Sequence, residues 1–243
     1  MHILVINPNT TATMTATIGA CAAAAAGPGT AVTAVTPAMG PVSIESHYDE
    51  ALAVPGLLAV IARAEREGTA DGYVIACFGD PGLDAARELA RGPVVGIAEA
   101  AMRTAAYLGR GFSVVTTLDR TRGRAEDLAA HYGLARFCRR VRAVEIGVLD
   151  LEEPGARDAV LAECRRAVAE DGADAVVLGC AGMADLCREL TAEIGVPVVD
   201  GVAAATRTAE TLVALGLRTG DRGEFARPPV KPYTGLLRDF QLG

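Results

Sequence analysis

"ADAVVLGCAGMADL", residues 173–186, repeats the pattern of "ADGYVIACFGDPGL", residues 70–83, and this repeat decides the fold. In each copy an Ala-Asp pair precedes an apolar, largely β-branched run of strand length, which ends in a cysteine and, two residues on, a glycine. The match continues past the cysteine: Arg87-Glu88-Leu89 corresponds to Arg188-Glu189-Leu190, and Pro93-Val94-Val95 to Pro197-Val198-Val199. Strand, turn, helix and next strand thus occur twice. The chain reads as two related halves of about four strands each.

The rest of the chain fits that frame. Short runs such as "HILVIN", "TAVTAVTP", "VVGIA", "FSVVTT", "VRAVEIGV" and "VPVVDG" alternate with longer segments of helical spacing, among them "DEALAVPGLLAVIARAEREG" and "ARDAVLAECRRAVAEDG". Alternation of this kind predicts an α/β protein with mainly parallel sheets. The strands are apolar throughout, as expected where helices cover both faces. "GACAAAAAG" reads as a helix tail lying close on a sheet and ended by Gly27-Pro28-Gly29. Each half opens with a strand ending in polar residues, "ILVINPNTT" and "FSVVTTLDR". Open parallel sheets bind ligands at the carboxyl ends of their strands. Two halves facing one another across a pseudo-twofold axis would set Cys77 and Cys180 on opposite walls of one cleft.

Composition narrows the function. The 243 residues are 51% hydrophobic with a formal net charge of −7, which argues against a nucleic-acid or anionic-membrane partner. No apolar run is long enough to span a bilayer and no signal-like segment opens the chain, so a cytoplasmic location is expected. Basic "RFCRRVR" reads as a solvated approach to a strand. Six cysteines form no C-x-x-C pair or Cys/His cluster, so no metal is expected. No P-loop is present, and Gly109-x-Gly111 precedes a strand where a dinucleotide fingerprint would follow one, so no cofactor is expected either. The three histidines read as structural or exposed, and the proline-rich tail as a surface wrap without helix until about Leu236.

A cysteine at a strand-to-helix turn sits near unpaired backbone N–H groups and the positive end of a helix dipole, surroundings that favour thiolate. Cys77 and Cys180 therefore read as acid/base groups, whereas Cys21, Cys138, Cys164 and Cys187 lack the turn signature and read as small core residues. Two facing thiols around one small ligand suit a racemase: one removes a proton from a carbon centre and the other returns a proton to the opposite face. The enolate between these steps needs aimed donors. Backbone N–H groups of Phe78, Gly79, Ala181 and Gly182, with Asn9, Thr116 and Thr117 at strand ends, are the candidates.

The segments "INPNTT", "SIESHYDEA", "ACFGDPGLDAARE", "PVVGIAEAA", "FSVVTT", "VLGCAGMADL" and "VPVVDGVAAA" resemble the hydantoin and allantoin racemases of the aspartate/glutamate racemase superfamily, over nearly the whole chain. The resemblance implies cofactor-independent racemisation at C5 of a 5-substituted hydantoin such as allantoin, with Cys77 and Cys180 each acting on one enantiomer. It also implies a homo-oligomer of two-domain chains with the active site between the domains: residues 1–97 with a returning segment 207–243, and residues 98–206. It directs attention to Ser43 and Glu45 as partners of the ring N–H groups; the competing reading of that stretch is the start of a helix, Ser46 capping and Asp49-Glu50 in its first turn. Amino-acid racemases of the superfamily usually carry a hydroxyl residue just after each cysteine. Phe78 and Ala181 stand there here, which suits a neutral ring better. Rival readings are such an amino-acid racemase, an arylmalonate-decarboxylase-like enzyme, a maleate isomerase-like enzyme in which one cysteine attacks as a nucleophile, and a non-catalytic binding module of the same fold.

Overall fold

The computed structural model describes residues 1–242, and the side chains of all of these except Gly182, Ala184 and Asp185. Strands β1 (His2–Ile6), β2 (Ala31–Val35), β3 (Gly72–Ile75) and β4 (Val94–Gly96) form a sheet in the order β2-β1-β3-β4. A second sheet holds β5 (Phe112–Thr116), β6 (Cys138–Ala143), β7 (Ala175–Leu178) and β8 (Val198–Val199) in the order β6-β5-β7-β8. All of these pairings are parallel. The two orders are one permutation applied twice, so the sequence repeat maps β3 onto β7. Each cysteine follows its strand at the same offset, with Ala76 between Ile75 and Cys77, and Gly179 between Leu178 and Cys180.

Among the described residues eight helices flank the sheets: α1 (Ala12–Ala25), α2 (His47–Glu67), α3 (Leu83–Leu89), α4 (Ile97–Ala106), α5 (Arg122–His131), α6 (Ala156–Asp171), α7 (Cys187–Ile194) and α8 (Gly201–Ala214). Helix α1 lies close on β2 at Gly19, where a Cβ would come 2.8 Å from that of Ala34; of the alanines beyond it Ala22 is buried while Ala23 and Ala24 are exposed. Helix α2 starts as expected, with Ser46 Oγ accepting from the Asp49 N–H at 3.1 Å, and ends on Gly68 at φ 62°, in the left-handed region. Pro55 sits inside α2, and at the neighbouring Gly56 the Met39 carbonyl crosses the helix with no room for a Cβ.

The main core runs through both halves. Leu4, Ile6 and Tyr73 of the first sheet share it with Phe112, Val114 and Val177 of the second, and Met102 of α4 and Leu128 of α5 lie among them. Each large side chain buried there contributes roughly 1.5–3 kcal/mol, so the halves are fused, not merely linked. Late in the chain α8 returns to the first sheet, placing Val202, Ala205 and Ala209 against Ile3, Val5 and Val74. No described helix is long and apolar enough to cross a membrane.

Two sequence expectations are corrected here. The basic run is not an approach to β6 but part of it: Arg139 and Arg140 are exposed, while Arg142 is 4% exposed and ion-paired to Asp171. The strand also stops at Ala143, short of "EIGV". Glu145 takes φ 57° and its carboxylate accepts from the Asp119 N–H at 2.6 Å, while Val144 and Ile146 on either side donate to the carbonyls of Thr116 and Thr117.

Candidate active site

The carboxyl ends of the two sheets open onto a cavity of about 170 Å³, and Cys77 and Cys180 both lie on its wall. Asn9, from the loop after β1, and Thr116 and Thr117, from the end of β5, reach it from equivalent places in the two halves. Glu45, Phe78, Gly79 and Ala181 of the expected set also line the wall. Ser43 is not on the wall; Ile44, the next residue, occupies that stretch. The loop before Ser43 is tied instead to the start of α1, where Thr10 and Thr11 donate to the carbonyls of Pro41 and Val42. Gly182 lies outside the described side chains.

The expected helix-dipole activation does not apply to Cys77. Helix α3 begins only at Leu83, beyond a turn closed by a hydrogen bond from the Asp80 N–H to the Cys77 carbonyl at 3.0 Å. Burial pushes the Cys77 thiol up to about 12, ahead of the opposing hydrogen bond from the Gly79 N–H, and Cys180, Glu50 and Asp80 add to the rise. Desolvation thus outweighs the backbone donor. Asn9 is buried and directed by local bonds: its Oδ1 accepts from Asn7 Nδ2 at 2.8 Å and the Thr11 N–H at 2.9 Å, while its Nδ2 faces the sulfur of Met14, a weak acceptor on the cavity wall.

Sequence reasoning missed the charged pair that spans the cavity. Glu50 on α2 and Arg124 on α5 both line it, with 3.2 Å between Glu50 Oε2 and Arg124 Nε. Arg124 Nη2 also donates to the Gly79 carbonyl at 2.7 Å, and Glu50 leaves no room for a Cβ at Gly79. The turn after Cys77 is therefore clamped from both halves. Burial holds the Glu50 carboxyl above its ordinary value, against the pull of Arg124. Only the first-turn acidic pattern of α2 hinted at Glu50; nothing near Arg124 marked it. Glu45 makes a second crossing: its Oε1 accepts from the Val148 N–H at 2.8 Å. Among the described residues no group of three or more His, Cys, Asp or Glu is placed to hold a metal ion.

A family model described as Asp/Glu/Hydantoin racemase matches residues 3–209. The chain belongs to this racemase family. A hydantoin racemase from Pseudomonas sp. (strain NS671) is 49% identical over 99% of this chain and 97% of its own length. A hydantoin racemase from Rhizobium meliloti is 50% identical over 97% of this chain and 98% of its own. Among solved structures, allantoin racemase from Klebsiella pneumoniae superposes with a TM-score of 0.96 at 50% identity, covering 99% of each chain. The two-sheet architecture is thus that of the racemase family, and this member is an isomerase, a racemase.

Proposed function

We propose that the protein racemises 5-substituted hydantoins at C5 without a cofactor, Cys77 and Cys180 serving as the two acid/base groups. The observation that carries this reading is the pair of thiols reaching one small cavity from equivalent strand ends. A thiolate takes the C5 proton, the electron pair left behind delocalises into the C4 carbonyl as an enolate, and the opposite thiol protonates C5 from the other face. The turnover leaves the two thiols with exchanged protonation states, ready for the product enantiomer. Every pK unit between the carbon acid and the thiol costs ~1.4 kcal/mol, so the developing oxyanion needs a donor. Asn9 Nδ2, facing little but a thioether, is suited to that task.

A neutral ring is favoured over an α-amino acid. Phe78 and Ala181 supply no hydroxyl beside the thiols, and Arg124 is already matched by Glu50 and the Gly79 carbonyl. The names of the relatives support the same substrate class. The test is proton NMR in deuterated buffer with enantiopure hydantoins, including allantoin, alongside polarimetry and enzyme-free controls. Loss of the C5–H signal together with optical rotation, abolished in Cys77→Ser/Cys180→Ser, is the expected result. Exchange no faster than background with every hydantoin would remove this reading and move the search to acidic substrates.

A further inference from the structure

Two carboxylates cap the helices that follow the fourth strand of each half, and they come from different places. In the second half Asp200, directly after β8, caps α8 by accepting from the N–H groups of Val202 at 2.9 Å and Ala203 at 3.2 Å. The matching position before α4 is Gly96, which has no side chain to offer. The carboxylate there is Asp80's, from the turn after Cys77: Oδ1 accepts from the Ala98 N–H at 3.1 Å and Oδ2 from the Glu99 N–H at 2.9 Å. In the repeat Asp80 corresponds to Met183, so the aspartate has changed position between the halves. A Cβ at Gly96 would collide with the Asp80 carboxyl, which makes the two arrangements mutually exclusive.

The arrangement through Asp80 is the more costly one. Asp80 takes φ 44°, in the left-handed region, a conformation that costs an L-residue about 1 kcal/mol. It is also 3% exposed, and burial pushes its carboxyl up to about 6 despite three donors. Capping alone needs none of this, as Asp200 shows. What Asp80 adds is its third partner: Tyr132, just after α5, donates its hydroxyl to Oδ2 at 2.6 Å. Surrounded by donors, the side chain works as an ionised acceptor. One carboxylate therefore joins the Cys77 turn, the start of α4 and the second half.

We propose that Asp80 is the positioning residue for Cys77: it fixes the turn carrying this thiol against α4 and Tyr132, and so sets the geometry between the two thiols across the cavity. The inference rests on the two-thiol reaction proposed above. It is tested by moving the cap. Asp80→Met with Gly96→Asp reproduces the arrangement of the second half, and Gly96, at φ −83° and ψ 145°, already has the extended backbone of an N-cap. Three quantities are measured: the unfolding temperature, kcat and KM for the preferred hydantoin, and the ratio of iodoacetamide alkylation at Cys77 to that at Cys180, read by peptide mass spectrometry. The double variant is expected to unfold within about 3 °C of the wild type. Its kcat should fall roughly 100-fold with KM within about threefold, because a small misplacement of a reacting group costs that much. The alkylation ratio should shift at least about fivefold. A wild-type kcat or a wild-type ratio in the folded double variant overturns the proposal, since Asp80 would then be only a helix cap. If the double variant does not fold, Tyr132→Phe decides, because it removes one hydroxyl and keeps the ring: a shifted ratio supports the proposal and an unchanged one overturns it. Alkylation needs no substrate, so the ratio remains decisive even if no hydantoin is turned over.

Discussion

The two halves deliver their thiols from the same place and hold them by different means. Around Cys77 the turn is gripped by side chains from distant elements: Asp80 toward α4 and Tyr132, Glu50 from α2 and Arg124 from α5. Around Cys180 the described support comes from the neighbouring strand and from apolar packing, Ala181 sharing a core with Ile18 of α1 and Val202 of α8. Gly179 lies against Thr116, where a Cβ would come within 2.9 Å of the Thr116 Cβ, and Thr116 Oγ1 donates to the Gly179 carbonyl at 3.3 Å. The chain then runs directly through a 3-10 turn, Ala181–Leu186, into α7. Duplicated strand order places the reacting atoms, whereas the supporting side chains differ between the halves. Symmetry in such a site is a property of the backbone.

The strongest way to probe that contrast is to remove one thiol at a time. Because the two groups act as a unit, Cys77→Ser and Cys180→Ser are each expected to lower racemisation by about 10³-fold or more, with the double variant little worse than either. Each single variant keeps one thiol on one face of the ring, so each should still exchange the C5 proton of one enantiomer with deuterium without inverting it. The two variants should select opposite enantiomers, which proton NMR on enantiopure substrate reads directly. Selection of the same enantiomer by both would mean that the thiols do not face each other across the ring.

A second contrast concerns the buried aspartates. Asp80 in the first half meets peptide and phenol dipoles, and its carboxyl is pushed up to about 6. Asp171 in the second half meets a guanidinium: Arg142 donates to it at 2.6 and 2.7 Å, and these bonds hold its carboxyl below the usual range against burial. The signs are opposite. For Asp80 the contribution to stability is complete below the unfolded value near 3.9 and is lost as pH rises through about 6. For Asp171 it is complete above that unfolded value and is lost as pH falls through the depressed folded one. Arg142→Leu strands Asp171 and is expected to cost about 3–5 kcal/mol, or roughly 10 °C in Tm at neutral pH. The fall in Tm between about pH 4 and pH 2 should become shallower, because the depressed carboxyl has lost its partner. Thermal unfolding followed across that range by circular dichroism checks both.

What the sequence made legible follows the same division. Strand alternation and the repeated "C-x-G" turns carry the two-sheet plan and bring Cys77 and Cys180 to one cavity, because strand offset alone fixes both. The Ser46 cap of α2 was equally readable, its partner Asp49 being three residues away. The clamp on Cys77 was not. Asp80 meets Tyr132 across 52 residues and Arg124 meets Gly79 across 45, and no local spacing encodes such encounters. The expectation of helix-dipole activation at Cys77 failed for a related reason. A helix dipole is a local inference, whereas desolvation depends on what the rest of the chain stacks over the turn.

The smallest expected effect bears on whether the second half keeps its cap apart from its thiol. Asp200 accepts from two N–H groups of α8 and from Cys21 Sγ at 2.7 Å, and none of these partners belongs to the turn of Cys180. Asp200→Ala should therefore behave as an ordinary cap deletion. A cost of about 1 kcal/mol is expected, lowering Tm by roughly 2–4 °C in a chain of this length. Racemase kcat should stay within about twofold of the wild type, the margin typical of a change that leaves the reacting groups in place. A loss of kcat comparable to that expected for moving the Asp80 cap would mean that α8 also positions its half's thiol. The two halves would then differ only in which residue carries the carboxylate, because a cap at either position would reach the chemistry through the start of the helix it holds.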